Sequence, residues 1–125
     1  MAGPYSLVVG KFLEKRKNKK PLTIVPDGRQ SRDFTHVADV VRANILAAAS
    51  PNVGKGEVIN IGGGRNRSVL EVAKLIGGRH VFIEPRTEPK HTLADISKAK
   101  KLLGWEPKVK FEDGITELKK LYGLV

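Results

Sequence analysis

Arg32 and Arg86 are the side chains of this sequence best equipped to recognise an anion, and each stands in a dense polar stretch. The first stretch runs from Asp27 to Val37 and contains Arg29, Gln30, Ser31, Arg32, Asp33 and His36. A guanidinium is planar and permanently charged, and it presents two parallel N–H donors to a phosphate. A loop arginine ahead of a strand therefore suits a diphosphate clamp. The second stretch, Pro85 to His91, sets Glu88 close to Arg86. A carboxylate accepts ribose hydroxyls well, so this pair offers contacts to a phosphate and to a ribose. By composition alone, both stretches fit solvated surface loops better, with Arg32 paired to Asp33 or Asp39.

Other motifs carry less. Gly62-Gly63-Gly64 lies between a strand-like run and a helix-like one, a context that invites a dinucleotide loop. The GxGxxG pattern fails because Arg67 stands where the third glycine belongs. The glycines read better as a tight turn ahead of Ser68. His36, His80 and His91 match no metal-ligand spacing, so no metal is expected. His36 suits a structural hydrogen-bonding role at a helix start. The chain has no cysteine, which excludes disulfides, thiolate metal ligands and a cysteine nucleophile. No Ser/His/Asp arrangement is visible, and no catalytic residue is expected in this chain.

The elements that must position these residues follow from periodicity. Ser6 to Lys17 reads as a helix, and its basic end complements the negative pole of the helix dipole. Leu22 to Val25 is a short strand, Pro26-Asp27-Gly28 a turn, and Asp33 to Thr35 a second short strand. His36 to Ser50 is the clearest helix, with Val37, Val40, Val41, Ile45 and Ala48 spaced as one buried face. Glu57 to Ile61 reads as a strand. Ser68 opens a helix with Glu71 three residues on, a capping box, and Val69, Val72, Ala73 and Ile76 as its buried stripe. His80 to Ile83 is a strand and Ser97 to Leu103 a short helix. Trp105 is a core anchor, and Phe111, Ile115, Leu118 and Leu121 mark a last helix. The fold class is α/β: one helix-rich lobe, residues 1–125, carrying small paired strands.

Composition sets outer bounds. With 125 residues, 40% hydrophobic and 29% charged, the chain is sized for one globular domain. No apolar run approaches the ~20 residues that span a bilayer, Met1 to Ser6 lacks the character of a secretory signal, and no membrane association is expected. A cytoplasmic protein is the simplest expectation, and the lack of cysteine suits a reducing compartment. The net charge of +10 favours an acidic partner. The run Lys15 to Lys20 offers charge to nucleic acid, yet aromatics are 6% of the chain and none lies in the run, so nucleic acid is disfavoured.

Three stretches carry a family resemblance. Pro21 to Asn44 reads Pro-Leu-Thr-Ile-Val-Pro-Asp-Gly-Arg-Gln-Ser-Arg-Asp-Phe-Thr-His-Val-Ala-Asp-Val-Val-Arg-Ala-Asn. Gly56 to Gly64 reads Gly-Glu-Val-Ile-Asn-Ile-Gly-Gly-Gly. Thr92 to Pro107 reads Thr-Leu-Ala-Asp-Ile-Ser-Lys-Ala-Lys-Lys-Leu-Leu-Gly-Trp-Glu-Pro. In this order they resemble the carboxy-terminal, substrate-binding part of extended short-chain dehydrogenase/reductases acting on nucleotide sugars, such as UDP-glucose 4-epimerases and 4,6-dehydratases.

The resemblance implies a division of labour. The family's amino-terminal Rossmann core holds NAD and a Tyr-x-x-x-Lys pair, and its carboxy-terminal lobe grips a nucleotide diphosphate sugar. In this chain the residue four after Tyr5 is Val9, and Tyr122 lies three residues from the end, so that pair is absent. No cofactor is expected in the chain itself, with NAD assigned to a full-length parent. By position, Arg32 and Arg86 resemble the diphosphate arginines and Glu88 the ribose acid. Leu7 and Val8 fall at the nucleotide-contacting entry helix. Leu22, Ile24 and Val25 fall at the nucleobase edge, read through backbone groups. Val25-Pro26 replaces the usual aromatic-glycine pair before Asp27. The expected partners are a nucleotide diphosphate sugar and either a separate Rossmann domain or a second copy of the chain.

Overall fold

A computed structural model describes residues 7–125, so Tyr5 and the expected helix start at Ser6 lie outside the described residues. The order of elements is α1 (Val8–Lys17), β1 (Leu22–Ile24), β2 (Ser31–Asp33), α2 (Val37–Ala49), β3 (Asn66–Ser68), α3 (Val69–Ile76), β4 (His80–Phe82), α4 (Ser97–Leu103) and α5 (Phe111–Leu121). The strands make two small sheets. In one, β1 pairs in parallel with β4, Leu22 against His80 and Ile24 against Phe82. In the other, β2 pairs antiparallel with β3, Arg32 opposite Arg67. The expected helix-rich α/β lobe with short paired strands is what the chain forms.

Two apolar clusters hold these elements. The larger gathers Phe12 and Leu13 of α1, Leu22 and Ile24 of β1, the expected α3 stripe of Val69, Val72, Ala73 and Ile76, and Ile115 of α5. The smaller holds Ala43 of α2, Ile96, Ala99 of α4 and Trp105. Trp105 is the anchor expected of it: its indole N–H donates to the Asp39 carbonyl at 2.9 Å, so the polar atom of a buried ring is satisfied.

Helix ends are made locally. Ser68 caps α3 by accepting the Glu71 N–H at 3.1 Å, the hydroxyl half of the capping box. His36 caps α2, its Nδ1 accepting the Ala38 N–H at 3.0 Å. That bond leaves the proton on Nε2, which donates to Glu117 Oε2 at 3.2 Å. The structural role expected of His36 is the one it has.

Three expectations are corrected. The second strand is Ser31–Asp33 rather than Asp33 to Thr35, because the pairing that defines it is with Asn66–Ser68, itself unforeseen. Glu57 to Ile61 belongs to no sheet among the described residues. Ile59 and Ile61 pack on the smaller cluster while Val58 is exposed, which gives the alternation of a strand without a partner. The valine face of α2 is the largest correction. Val37 is 69% exposed, Val41 51% and Ile45 64%, with Ala48 also exposed. The helix buries its opposite side, Asp39 and Ala43.

Asp39 explains that orientation. Its carboxylate accepts Arg42 Nη1 at 2.8 Å and the backbone N–H groups of Lys108 and Val109 at 3.1 and 3.2 Å. A buried carboxylate with these donors turns α2 so that Asp39 faces the 105–109 segment, which carries the valines outward. Burial opposes ionisation of Asp39, but the Arg42 bond and the two backbone donors outweigh it and hold its carboxyl below the usual carboxylate range.

Candidate functional site

The amino-terminal end of α1 opens onto a cleft of ≈ 480 Å³ whose walls include Leu7, Val8, Val25, Arg32, Arg86 and Glu88. Six of the eight residues singled out in the sequence thus line one cavity, although they come from α1, the end of β1, β2 and the loop after β4.

Each wall has a local cause. Ser31 of β2 faces a second neighbour besides β3: its N–H donates to the Lys90 carbonyl at 2.7 Å and its carbonyl accepts the Thr92 N–H at 3.1 Å. Its hydroxyl meets His91 Nδ1 at 2.7 Å. These ties bring the loop with Arg86 and Glu88 to the strand with Arg32. Asp33, the next residue, accepts the Gly63 N–H at 2.6 Å and the Ala94 N–H at 3.1 Å, which fixes the end of β2. The plainer pairings of Arg32 do not occur. Asp39 pairs with Arg42, and Arg32 Nη2 lies 3.6 Å from Glu88 Oε1.

The electrostatics suit an anion. Arg32, Arg86 and Lys11 line the cleft against the carboxylates of Asp33 and Glu88, of which Asp33 is engaged by the Gly63 and Ala94 N–H groups. The first turn of α1 contains no acidic residue, and Leu7 caps it without a side-chain bond. The N–H groups of that turn carry the positive end of the helix dipole.

Leu22 and Ile24 do not line the cleft. Both are fully buried in the larger cluster, the Leu22 N–H donates to the Arg79 carbonyl at 2.9 Å, and the Ile24 carbonyl accepts the Ile83 N–H at 3.0 Å. In a strand, neighbours alternate sides. Of this stretch, the residues on the cleft are therefore Thr23 and Val25. Lys11, Thr23, Gln30 and Thr92 also line the cleft and were missed. For Lys11 a signal existed: it stands four residues after Leu7, on the same helix face.

The glycine turn is structural. A Cβ added at Gly62 would lie 2.6 Å from both Ala94 Cβ and Asp33 Oδ2, and one at Gly63 2.7 Å from the Phe34 carbonyl oxygen. The turn's Gly63 N–H is already given to Asp33. A dinucleotide diphosphate approaching this turn would meet that carboxylate, so the turn is not built as a diphosphate cradle.

A second groove, of ≈ 450 Å³, lies between the starts of α1 and α2 and α5, and is lined by Val9, Phe34, Val37, Phe111, Ile115 and Leu118 among others. It is largely apolar, with His36, Lys110 and Glu117 as its charged or titratable lining residues, and His36 and Glu117 are paired with each other. The arginine cleft is the better site for a charged ligand.

The chain is similar to known proteins over most of its length. Residues 5–118 match the family described as GDP-mannose 4,6 dehydratase. The chain belongs to that family of nucleotide-sugar epimerases and dehydratases. It is 42% identical over 113 residues to an uncharacterised UDP-glucose epimerase of Bacillus subtilis (strain 168), covering 85% of this chain and 35% of that protein. To a UDP-glucuronate 4-epimerase of Thermodesulfobacterium geofontis it is 38% identical over 122 residues, covering 91% of this chain and 37% of the relative. Among solved structures, UDP-glucuronic acid 4-epimerase from Bacillus cereus, in complex with UDP-glucuronic acid and NAD, is 34% identical with a TM-score of 0.82, over 94% of this chain and 40% of that one. Epimerase Mth375 from Methanothermobacter thermautotrophicus is 32% identical with a TM-score of 0.85, over 97% and 40%. The chain thus spans little more than a third of the length of these two curated relatives. Among the described residues, no helix is long and apolar enough to cross a membrane.

Proposed function

We propose that this chain is the diphosphate-gripping half of a nucleotide-sugar site, without catalysis of its own. The observation that carries the reading is the convergence of Arg32, Arg86 and the start of α1, which the Leu7 side chain does not cap, on one cleft. Two guanidiniums and a helix amino terminus match the charge and the acceptor oxygens of a diphosphate. Thr23, Val25 and Gln30, on the β1 side, are placed for the nucleoside. A UDP-sugar is the proposed substrate, because relatives sharing this lobe bear UDP-sugar names. Transient oxidation at the sugar C4, for which NAD supplies the hydride acceptor, is assigned to further sequence or to a separate chain. Arg32→Ala tests the reading by calorimetric titration with UDP-glucose. At least a tenfold loss of affinity is expected, about 1.4 kcal/mol for one charge-assisted contact. Wild-type affinity in that variant would remove the cleft as the site.

A second reading concerns how the lobe associates. The exposed face of α2 offers an apolar surface, and the segment 57–61, which joins no sheet among the described residues, carries Val58 78% exposed. Such a combination suits docking onto the open edge of another sheet. A Rossmann-type domain is the proposed occupant, since about three fifths of each matched structure lies outside the shared region.

A further inference from the structure

The two arginines of the cleft already hold an anion, and it is the chain's own Glu88. Glu88 Oε1 lies 3.6 Å from Arg32 Nη2, and Oε2 lies 3.7 Å from Arg86 Nε. One carboxylate spans two guanidiniums through different oxygens, as a phosphoryl group would. Arg32 Nη1 is meanwhile taken by the Ser31 carbonyl at 2.8 Å, which fixes the strand-borne arginine in place.

The loop with Glu88 is built to let go. Its backbone ties lie at its two ends: the Ile83 N–H on the Ile24 carbonyl at 3.0 Å, and the Lys90 carbonyl and Thr92 N–H on Ser31 at 2.7 and 3.1 Å. Between them runs an arch, residues 84–89, whose Arg86 side chain is 63% exposed. Ion pairs of this length and exposure are weak, so breaking them demands little.

Resting on the reading of this cleft as a diphosphate site, we infer that Glu88 is a built-in counter-anion that an incoming diphosphate displaces. Without a ligand, two guanidiniums sharing one cleft repel each other, and the bridging carboxylate holds them together in a binding arrangement. A ligand with a single negative charge merely replaces what Glu88 supplies. A diphosphate brings more charge than it displaces, so the exchange favours diphosphates over monoanions. This role is opposite in sign to that of a ribose acceptor, since removing the carboxylate strengthens phosphate binding instead of weakening nucleotide binding.

Inorganic pyrophosphate separates the two roles because it has no ribose. Titration calorimetry on the 125-residue chain at fixed ionic strength compares wild type with Glu88→Gln, which keeps the side chain's size and removes its charge. Pyrophosphate is expected to bind ~2- to 5-fold more tightly to Glu88→Gln, the upper part of the range set by a weak exposed ion pair. Glu84→Gln removes the same charge from the same arch outside the cleft, and leaves affinity unchanged. Unchanged or weaker binding in Glu88→Gln overturns the inference, and so does an equal gain in Glu84→Gln. If Arg32→Ala loses pyrophosphate while Glu88→Gln gains nothing, the counter-anion falls and the diphosphate cleft stands. If neither wild type nor Glu88→Gln binds pyrophosphate, both fall.

Discussion

Asp39 shows how one side chain decides a helix's orientation and part of the chain's stability. Three donors converge on its buried carboxylate. Asp39→Asn keeps the shape but sets an amide against donors that need acceptors. We expect a loss of ~2 kcal/mol at pH 7, the range for hydrogen bonds to a charged group, read as a lowered midpoint in thermal unfolding. The pH dependence has a definite sign. The folded carboxyl sits below its unfolded value, so its contribution is complete above about pH 4 and fades as pH falls through the folded value. The variant should lose that component of acid sensitivity. An equal midpoint at pH 7 and an unchanged acid profile would show that the Asp39 cluster is not stabilising. Residue types pointed to Arg32 and Arg86 as candidates for anion recognition, but nothing in their spacing said that Glu88 bridges them.

At the scale of elements, α3 and α2 make a contrast. The α3 stripe was legible because both of its determinants are local: the Ser68 cap and four apolar residues at helical spacing. Ser68→Ala is expected to cost about 1 kcal/mol of stability in a denaturant titration. A change under a few tenths would mean that the pairing of β3 with β2, rather than the cap, sets the start of α3. Helix α2 was equally legible as a helix, with both ends within a residue of expectation. Its buried face was not. Periodicity marks an apolar face without saying what covers it, and no described residue covers this one. The segment 57–61 fails as a strand for the same reason: β-type residues need a partner's N–H and C=O groups to form a ladder.

For the whole molecule, the exposed α2 face predicts association. Val41 and Ile45 lie one turn apart on that face, so Val41→Asp combined with Ile45→Asp places two charges at its centre. If the chain self-associates in sedimentation velocity at micromolar concentration, the double variant should be monomeric, with its thermal midpoint within about 2 °C of wild type because neither side chain is in the core. Association that survives both charges would move the contact to another surface, such as the apolar groove beside α5.

What the sequence determined by itself were the α/β class, the helices, the Ser68 and His36 caps, the Trp105 anchor and the family motifs. These are written in spacing and residue type within a dozen or so neighbours. Tertiary structure alone decided which side of α2 is buried, that β2 pairs with Asn66–Ser68, and that Thr23 and Val25 face the cleft while Leu22 and Ile24 do not. It also joined Arg32 to Arg86 through Ser31's bonds to Lys90 and Thr92, across about sixty residues of chain. Such outcomes depend on which distant donor meets which acceptor, and no local pattern of residues encodes that pairing.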